Sequence, residues 1–115
     1  MIRFALPFYL LLCISTLHAA IQTKVVEYRD GDVVLEGTLV WDDSVKKAPG
    51  VLIVHQWMGQ TEYEVDRARQ LAKEGFVAFA LDIYGKGIRP KSTSEASLQA
   101  GIYIKPEPTN ARGKR

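Results

Sequence analysis

The chain has 115 residues, enough for one small domain. Hydrophobic residues make up 47% of it, a share typical of a globular protein, so general disorder is excluded. The net charge is only +2, and no basic stripe is interleaved with aromatic side chains, so nucleic acid is not an expected partner.

The first twenty residues have the pattern of a secretory signal peptide. The stretch MIRFALPFYLLLCISTLHAA opens with a basic residue, continues with an apolar run and ends on two alanines. We therefore predict a secreted or periplasmic protein whose only membrane contact is through residues 1–20. An uncleaved anchor is the alternative, although a membrane-spanning helix needs roughly 20 apolar residues. Cleavage would remove Cys13, the only cysteine, and with it any disulfide or thiol nucleophile.

The next elements predict a β-hairpin and then a strand. The segments KVVEYR and DVVLEGTLVW flank the pair Asp30-Gly31, which favours a tight turn because glycine accepts positive φ. The second segment alternates with a period of two. After a polar loop, residues Val51–Val54 are consecutively apolar, which predicts a parallel strand buried on both faces.

A helix and another strand follow. Thr61 and Glu64 have the spacing of a capping box, and Gly75 is placed to end the helix. The segment FVAFAL, Phe76–Leu81, is a second apolar strand, so the three elements form a βαβ unit and the fold class is α/β. SEASLQAGIY predicts a second helix with Ser94 as its cap. The βα link has one glycine, which excludes a Gly-x-Gly-x-x-Gly dinucleotide site, and no metal-ligand spacing is present; we predict no cofactor and no metal.

Polar and aromatic residues follow both strands of the βαβ unit. His55, Gln56 and Trp57 come directly after the first strand, and Tyr84 and Lys86 come shortly after the second. Ligands bind beyond the carboxyl ends of parallel strands, so we expect these side chains to form the rim of a pocket.

The residues HQWMG and the downstream RARQLAKEGFVAFALDIYGKG resemble the N-terminal half of the dienelactone hydrolase family, within the α/β-hydrolase superfamily. The resemblance runs from about Tyr28 to Tyr103. It implies a partial α/β-hydrolase fold and a hydrolase of ester or lactone bonds that works through a nucleophile, a histidine and an aspartate. It also implies that the backbone N–H of Trp57 is an oxyanion donor, and that the substrate-binding residues are His55, Gln56, Tyr84 and Lys86.

Two positions differ from what the family often carries. Gln56 stands where many members have a glutamate, and a glutamine can hydrogen-bond but cannot exchange a proton. Lys86 stands where members can carry an arginine that binds a substrate carboxylate, and lysine lacks the bidentate fork.

The family's nucleophile turn, Gly-x-Cys-x-Gly or Gly-x-Ser-x-Gly, does not occur in this sequence. We therefore predict a truncated family domain over residues 21–104, inactive by itself and followed by a disordered basic tail over residues 105–115. The expected partner is a small ester or lactone substrate. One alternative is a non-catalytic exported binding or scaffold remnant, and another is a module that completes its sheet against a second chain.

Several of these residues have a purely structural interpretation. His55 is more readily explained as a strand-end residue hydrogen-bonded to backbone than as a catalytic base, since no nucleophile is paired with it in sequence. Asp82 is expected to cap a turn. Trp57 fits a pocket lining and a core cap equally well, and Tyr84 fits the pocket slightly better.

Overall fold

The computed structural model describes residues 20–104, so the predicted signal segment up to residue 19 and the predicted tail, 105–115, lie outside the described residues. The elements in chain order are β1 (Ile21–Asp30), β2 (Val33–Asp42), β3 (Gly50–Val54), α1 (Glu62–Lys73), β4 (Val77–Leu81) and α2 (Thr93–Ile104). Within residues 20–104, neither helix is long and apolar enough to cross a membrane.

The four strands form one mixed sheet in the order β1-β2-β4-β3. Strands β1 and β2 are the predicted antiparallel hairpin, and β4 pairs antiparallel with β2. Strands β3 and β4 are parallel, with Val54 opposite Leu81, so the predicted βαβ unit is confirmed. The last residues of β3 and β4 therefore lie side by side at one edge of the sheet.

Helix α1 covers one face of this sheet. The predicted capping box is present: the Thr61 hydroxyl accepts the N–H of Tyr63 at 3.2 Å, and the Glu64 carboxylate accepts the N–H of Thr61 at 2.8 Å. Gly75 follows the helix with φ at +95°, where glycine is favoured. Small side chains let the helix lie close to the strands, and the buried core they form consists of Val40, Ala68, Ala72, Ala78 and Ala80.

The prediction that β3 is buried on both faces is wrong for the described residues. Val51 and Ile53 are partly buried, but Leu52 and Val54 are 68% and 61% exposed. The reason is the number of covering elements: in the part of the chain that the structure describes, α1 packs on one face of the sheet and α2 packs on neither.

Two local predictions shift by one or two residues. Asp30 pairs with Val33 and belongs to β1, so the hairpin turn is Gly31-Asp32, with φ at +62° for Gly31. The cap of α2 is Ser92 in place of Ser94, because the hydroxyl of Ser92 accepts the N–H of Glu95 at 3.2 Å. In both places the sequence predicted the tight turn or the helix cap correctly but not its exact position.

Candidate functional site

His55 joins the ends of β3 and β4. Its side chain is buried, and its Nδ1–H donates to the carbonyl of Gln56 at 2.6 Å. Its Nε2 accepts the backbone N–H of Ile83 at 3.1 Å. The second bond assigns the proton to Nδ1, so both ring nitrogens are occupied by backbone partners. This geometry agrees with the structural interpretation of His55 and leaves no nitrogen to act as a general base.

Asp82 organises the loop after β4, as a turn cap does. Its Oδ1 accepts the N–H groups of Tyr84 and Gly85 at 3.0 and 3.2 Å, and its Oδ2 accepts the N–H of Glu36 on β2 at 3.2 Å. The carboxylate is buried, and the guanidinium of Arg89 lies 3.4 Å from Oδ1. A buried carboxylate needs donors of this kind, because burial without hydrogen-bond partners is costly. The loop that carries Tyr84 is thereby fixed to the sheet.

Tyr84 connects this loop to the segment after β3. Its hydroxyl donates to the carbonyl of Trp57 at 2.8 Å, and its ring meets that of His55 edge-on, with the centroids 4.7 Å apart. Burial raises the pKa of Tyr84, with a further contribution from Tyr103. The hydroxyl therefore remains a donor throughout the neutral range, and the peptide unit that follows Trp57 is held in one orientation.

Helix α2 closes the site from the other side. The ring of Tyr103 stacks on that of Tyr84 at a centroid distance of 5.9 Å, and its hydroxyl donates to the carbonyl of Ile83. Together these elements line an open cavity of about 270 Å³. Its lining residues are His55, Gln56, Trp57, Ile83, Tyr84, Ala100, Tyr103 and Ile104.

Trp57 lies at the mouth of this cavity, with 44% of its surface exposed. The segment turns there, since the N–H of Gly59 donates to the carbonyl of Gln56 at 3.0 Å and Gly59 has φ at +82°. Within residues 20–104 the backbone N–H of Trp57 donates to no acceptor. A backbone N–H with no acceptor among the described residues is free to bind a ligand or water, and an oxyanion site requires such a donor.

Lys86, expected among the substrate-binding residues, lies outside this cavity. Its Nζ lies 2.6 Å from the carboxylate of Glu27 on β1 and 3.6 Å from that of Glu36 on β2. The hydrogen bond and charge of Glu27 raise the pKa of Lys86, and those of Lys86 lower the pKa of Glu27. His55, Gln56, Trp57 and Tyr84 are brought together, and Lys86 is not among them.

Two residues, one that lines the cavity and one that supports the loop after β4, were missed from the sequence. Tyr103 is near the end of a helix whose hydrophobic pattern is weak, so nothing marked it as a ring that reaches the loop after β4. Arg89 is one cation in a loop already rich in lysine and glycine. A buried aspartate at the start of that loop was the available signal, since a buried carboxylate needs a cationic or N–H partner.

A four-stranded mixed sheet with a parallel pair, a crossover helix and a cavity at the strand ends defines part of an α/β-hydrolase fold. The model of the dienelactone hydrolase family matches residues 35–110. The chain therefore belongs to the dienelactone hydrolase family, and the resemblance seen in the sequence is confirmed.

Two solved structures are similar to this chain. One, titled "m3DLH", has 29% sequence identity and a TM-score of 0.69, over 73% of this chain and 36% of its own. The other is a dienelactone hydrolase-like promiscuous phosphotriesterase, P91, from metagenomic libraries, with 30% identity and a TM-score of 0.68, over 81% of this chain and 38% of its own. The chain thus spans a little over a third of the length of these structures. No curated protein matches it.

Proposed function

We propose that this chain provides the oxyanion donor and part of the substrate cavity of an exported carboxylic ester or lactone hydrolase. The observation that carries the proposal is the backbone N–H of Trp57, which has no acceptor within residues 20–104 and adjoins a cavity of about 270 Å³. Family membership supports hydrolysis as the reaction class.

The donor acts on the charge that forms during acyl transfer. When a nucleophile adds to an ester carbonyl, the carbonyl oxygen becomes an oxyanion, and a preorganised N–H stabilises it more than it stabilises the ground state. His55 and Tyr84 contribute by holding the carbonyls of Gln56 and Trp57, which fixes the peptide planes around that N–H. They are positioning residues. Gln56 lines the cavity as a neutral hydrogen-bonding group.

Phosphotriester hydrolysis is a second candidate reaction. One of the similar structures is titled a promiscuous phosphotriesterase, at 30% identity. A phosphoryl oxygen also gains negative charge when a nucleophile adds, so the same N–H would serve both reactions. A non-catalytic exported binding remnant is the alternative that keeps the cavity without the chemistry.

The donor can be tested by adding acetanilide, a stable carbonyl ligand, and following the backbone amide signals by two-dimensional NMR. Hydrogen bonding to the ligand carbonyl is expected to move the Trp57 amide proton downfield, more than the amides of the distant loop at residues 43–49. In the Trp57→Pro chain, which lacks this N–H, acetanilide should bind several-fold more weakly, whereas Trp57→Phe should retain binding. Signals that move at Tyr84 and Tyr103 but not at Trp57 would contradict the proposal.

A further inference from the structure

We infer that the cavity takes an uncharged aromatic group of the substrate and excludes a carboxylated one. The inference rests on the proposed function and names the substrate class of the same site. Its basis is the position of the three cations that the loop after β4 carries, Lys86, Arg89 and Lys91, together with the composition of the cavity lining.

None of these three cations lines the cavity, and two of them are engaged by carboxylates elsewhere. Lys86 is engaged by the carboxylates of Glu27 and Glu36, on the strands β1 and β2. Arg89 is engaged by the buried carboxylate of Asp82 at 3.4 Å. The guanidinium of Arg89 also donates to the carbonyls of Gly85, Ile88 and Glu36 and to the side-chain oxygen of Gln60.

The lining itself suits a neutral ring. None of the lysines and arginines within residues 20–104 lines the cavity, and most of its lining side chains are aromatic or aliphatic. Tyr84 and Tyr103 present stacked rings, and Trp57 stands at the mouth. A cavity of about 270 Å³ exceeds the roughly 150 Å³ of an engineered cavity that holds benzene. One substituted aryl group therefore fits.

A carboxylate placed in this cavity would lose part of its hydration and would gain no cation from residues 20–104 in return. Desolvating an unpaired charge is far more costly than desolvating an amide. The buried carboxylate of Asp82 lies next to the lining, with its Oδ1 4.0 Å from Nε2 of His55, and it already engages the guanidinium of Arg89. Discrimination against charged substrates therefore follows from the lining and from the ion pair of Lys86 together.

The test compares two ligands that differ in one remote group, para-acetamidobenzamide and para-acetamidobenzoate. Binding is followed through the emission of Trp57 in a Trp41→Phe background, in which Trp57 is the remaining tryptophan. We expect the neutral amide to bind at least about tenfold more tightly than the carboxylate, because the carboxylate enters a site without a cationic partner.

Variants of Tyr103 and Lys86 test which residues determine the affinities for the two ligands. Tyr103→Ala should weaken binding of the amide by about fivefold through loss of the ring stack, and Tyr103→Phe should keep it within about twofold. Lys86→Gln should leave the ratio of the two affinities unchanged. Circular dichroism on each variant verifies folding.

Three results would overturn the inference: carboxylate binding as tight as amide binding, a preference for the carboxylate that disappears in Lys86→Gln, or no binding of either ligand to the folded chain. Failure here is distinguishable from failure of the proposed function. A Trp57 amide shift with acetanilide combined with equal affinities for the charged and neutral ligands would retain the oxyanion donor and reject only the substrate class.

Discussion

At the residue scale, the site depends on side chains that hold backbone groups in place. His55 binds one backbone group at the end of each parallel strand, Asp82 binds three N–H groups, and Tyr84 binds the carbonyl of Trp57. Each of these side chains is buried. The oxyanion stabilisation that we propose is carried by a main-chain N–H, so alanine substitution of these side chains tests their support and not the donor itself.

Tyr84→Phe should remove the hydrogen bond to the carbonyl of Trp57 while keeping the aromatic ring of residue 84. We expect a loss of about 0.5–1.5 kcal/mol in the free energy of unfolding, the usual net contribution of one hydrogen bond. Urea denaturation measures it. The matched control is Tyr63→Phe, because Tyr63 is exposed and its hydroxyl accepts from the exposed Arg67. An equal loss of unfolding free energy in both variants would show that the hydrogen bond to Trp57 contributes no more stability than an exposed one.

The ion pair of Lys86 and Glu27 predicts a pH effect. Because Lys86 lowers the pKa of Glu27, the carboxylate contributes stability above its ordinary pKa, and that stability is lost as pH falls through the lowered value. In Lys86→Gln, an NMR titration should find the pKa of Glu27 moved upward, toward the ordinary value of 4.5. An unchanged titration curve would mean that the pair does not form in solution.

At the element scale, each helix and strand was foreseen where the signal is local. The hairpin required a turn pair between alternating strands, and α1 required a capping box and a glycine stop, all of which can be read within a few residues. The burial of β3 could not be predicted from such a local sequence signal. Four apolar residues in succession indicate two buried faces, but whether a second layer covers Leu52 and Val54 depends on other elements.

The capping box of α1 gives a prediction at this scale. Thr61→Ala removes the hydroxyl that accepts the N–H of Tyr63 and should lower the free energy of unfolding by about 1 kcal/mol. Thr61→Ser keeps an equivalent acceptor and should change stability by less than about half of that. Thermal unfolding followed by circular dichroism compares the two. A similar loss in both would assign the effect to the methyl group.

The exposed face of β3 predicts self-association. β3 is an edge strand with Leu52 and Val54 exposed, and such edges favour pairing between chains. Replacing both residues with threonine should reduce light scattering at micromolar concentration without loss of the helical signal. The same change at Val51 and Ile53, on the face covered by α1, should unfold the chain instead. Unchanged scattering in the first variant would place the association elsewhere.

At the scale of the whole molecule, the sequence predicted where the cavity lies but not all of the residues that line it. Parallel strands had to bring His55 and Tyr84 to one edge, so the cavity was expected there. The direction of Lys86 could not be derived, because it depends on two glutamates from the hairpin that is far away in sequence. Tyr103 was missed for a similar reason: its contact is made across the loop after β4.

The activity that the chain can have depends on how much of the family's fold it contains. It belongs to the dienelactone hydrolase family and spans 36–38% of the two similar structures. Its sequence contains no glycine-flanked serine or cysteine turn. We therefore expect the donor proposed at Trp57 to bind and polarise a carbonyl group, and we expect the chain to be inactive by itself without a nucleophile turn.

Binding of acetanilide to the purified chain is the most direct test of the oxyanion donor, with Trp57→Pro and Trp57→Phe measured beside it and folding verified by circular dichroism. We expect saturable binding by the wild-type chain, several-fold weaker binding by Trp57→Pro, which lacks the N–H, and binding by Trp57→Phe within about twofold of the wild type. Equal affinities of the Trp57→Pro and wild-type chains, or no binding by a folded wild-type chain, would contradict the proposal.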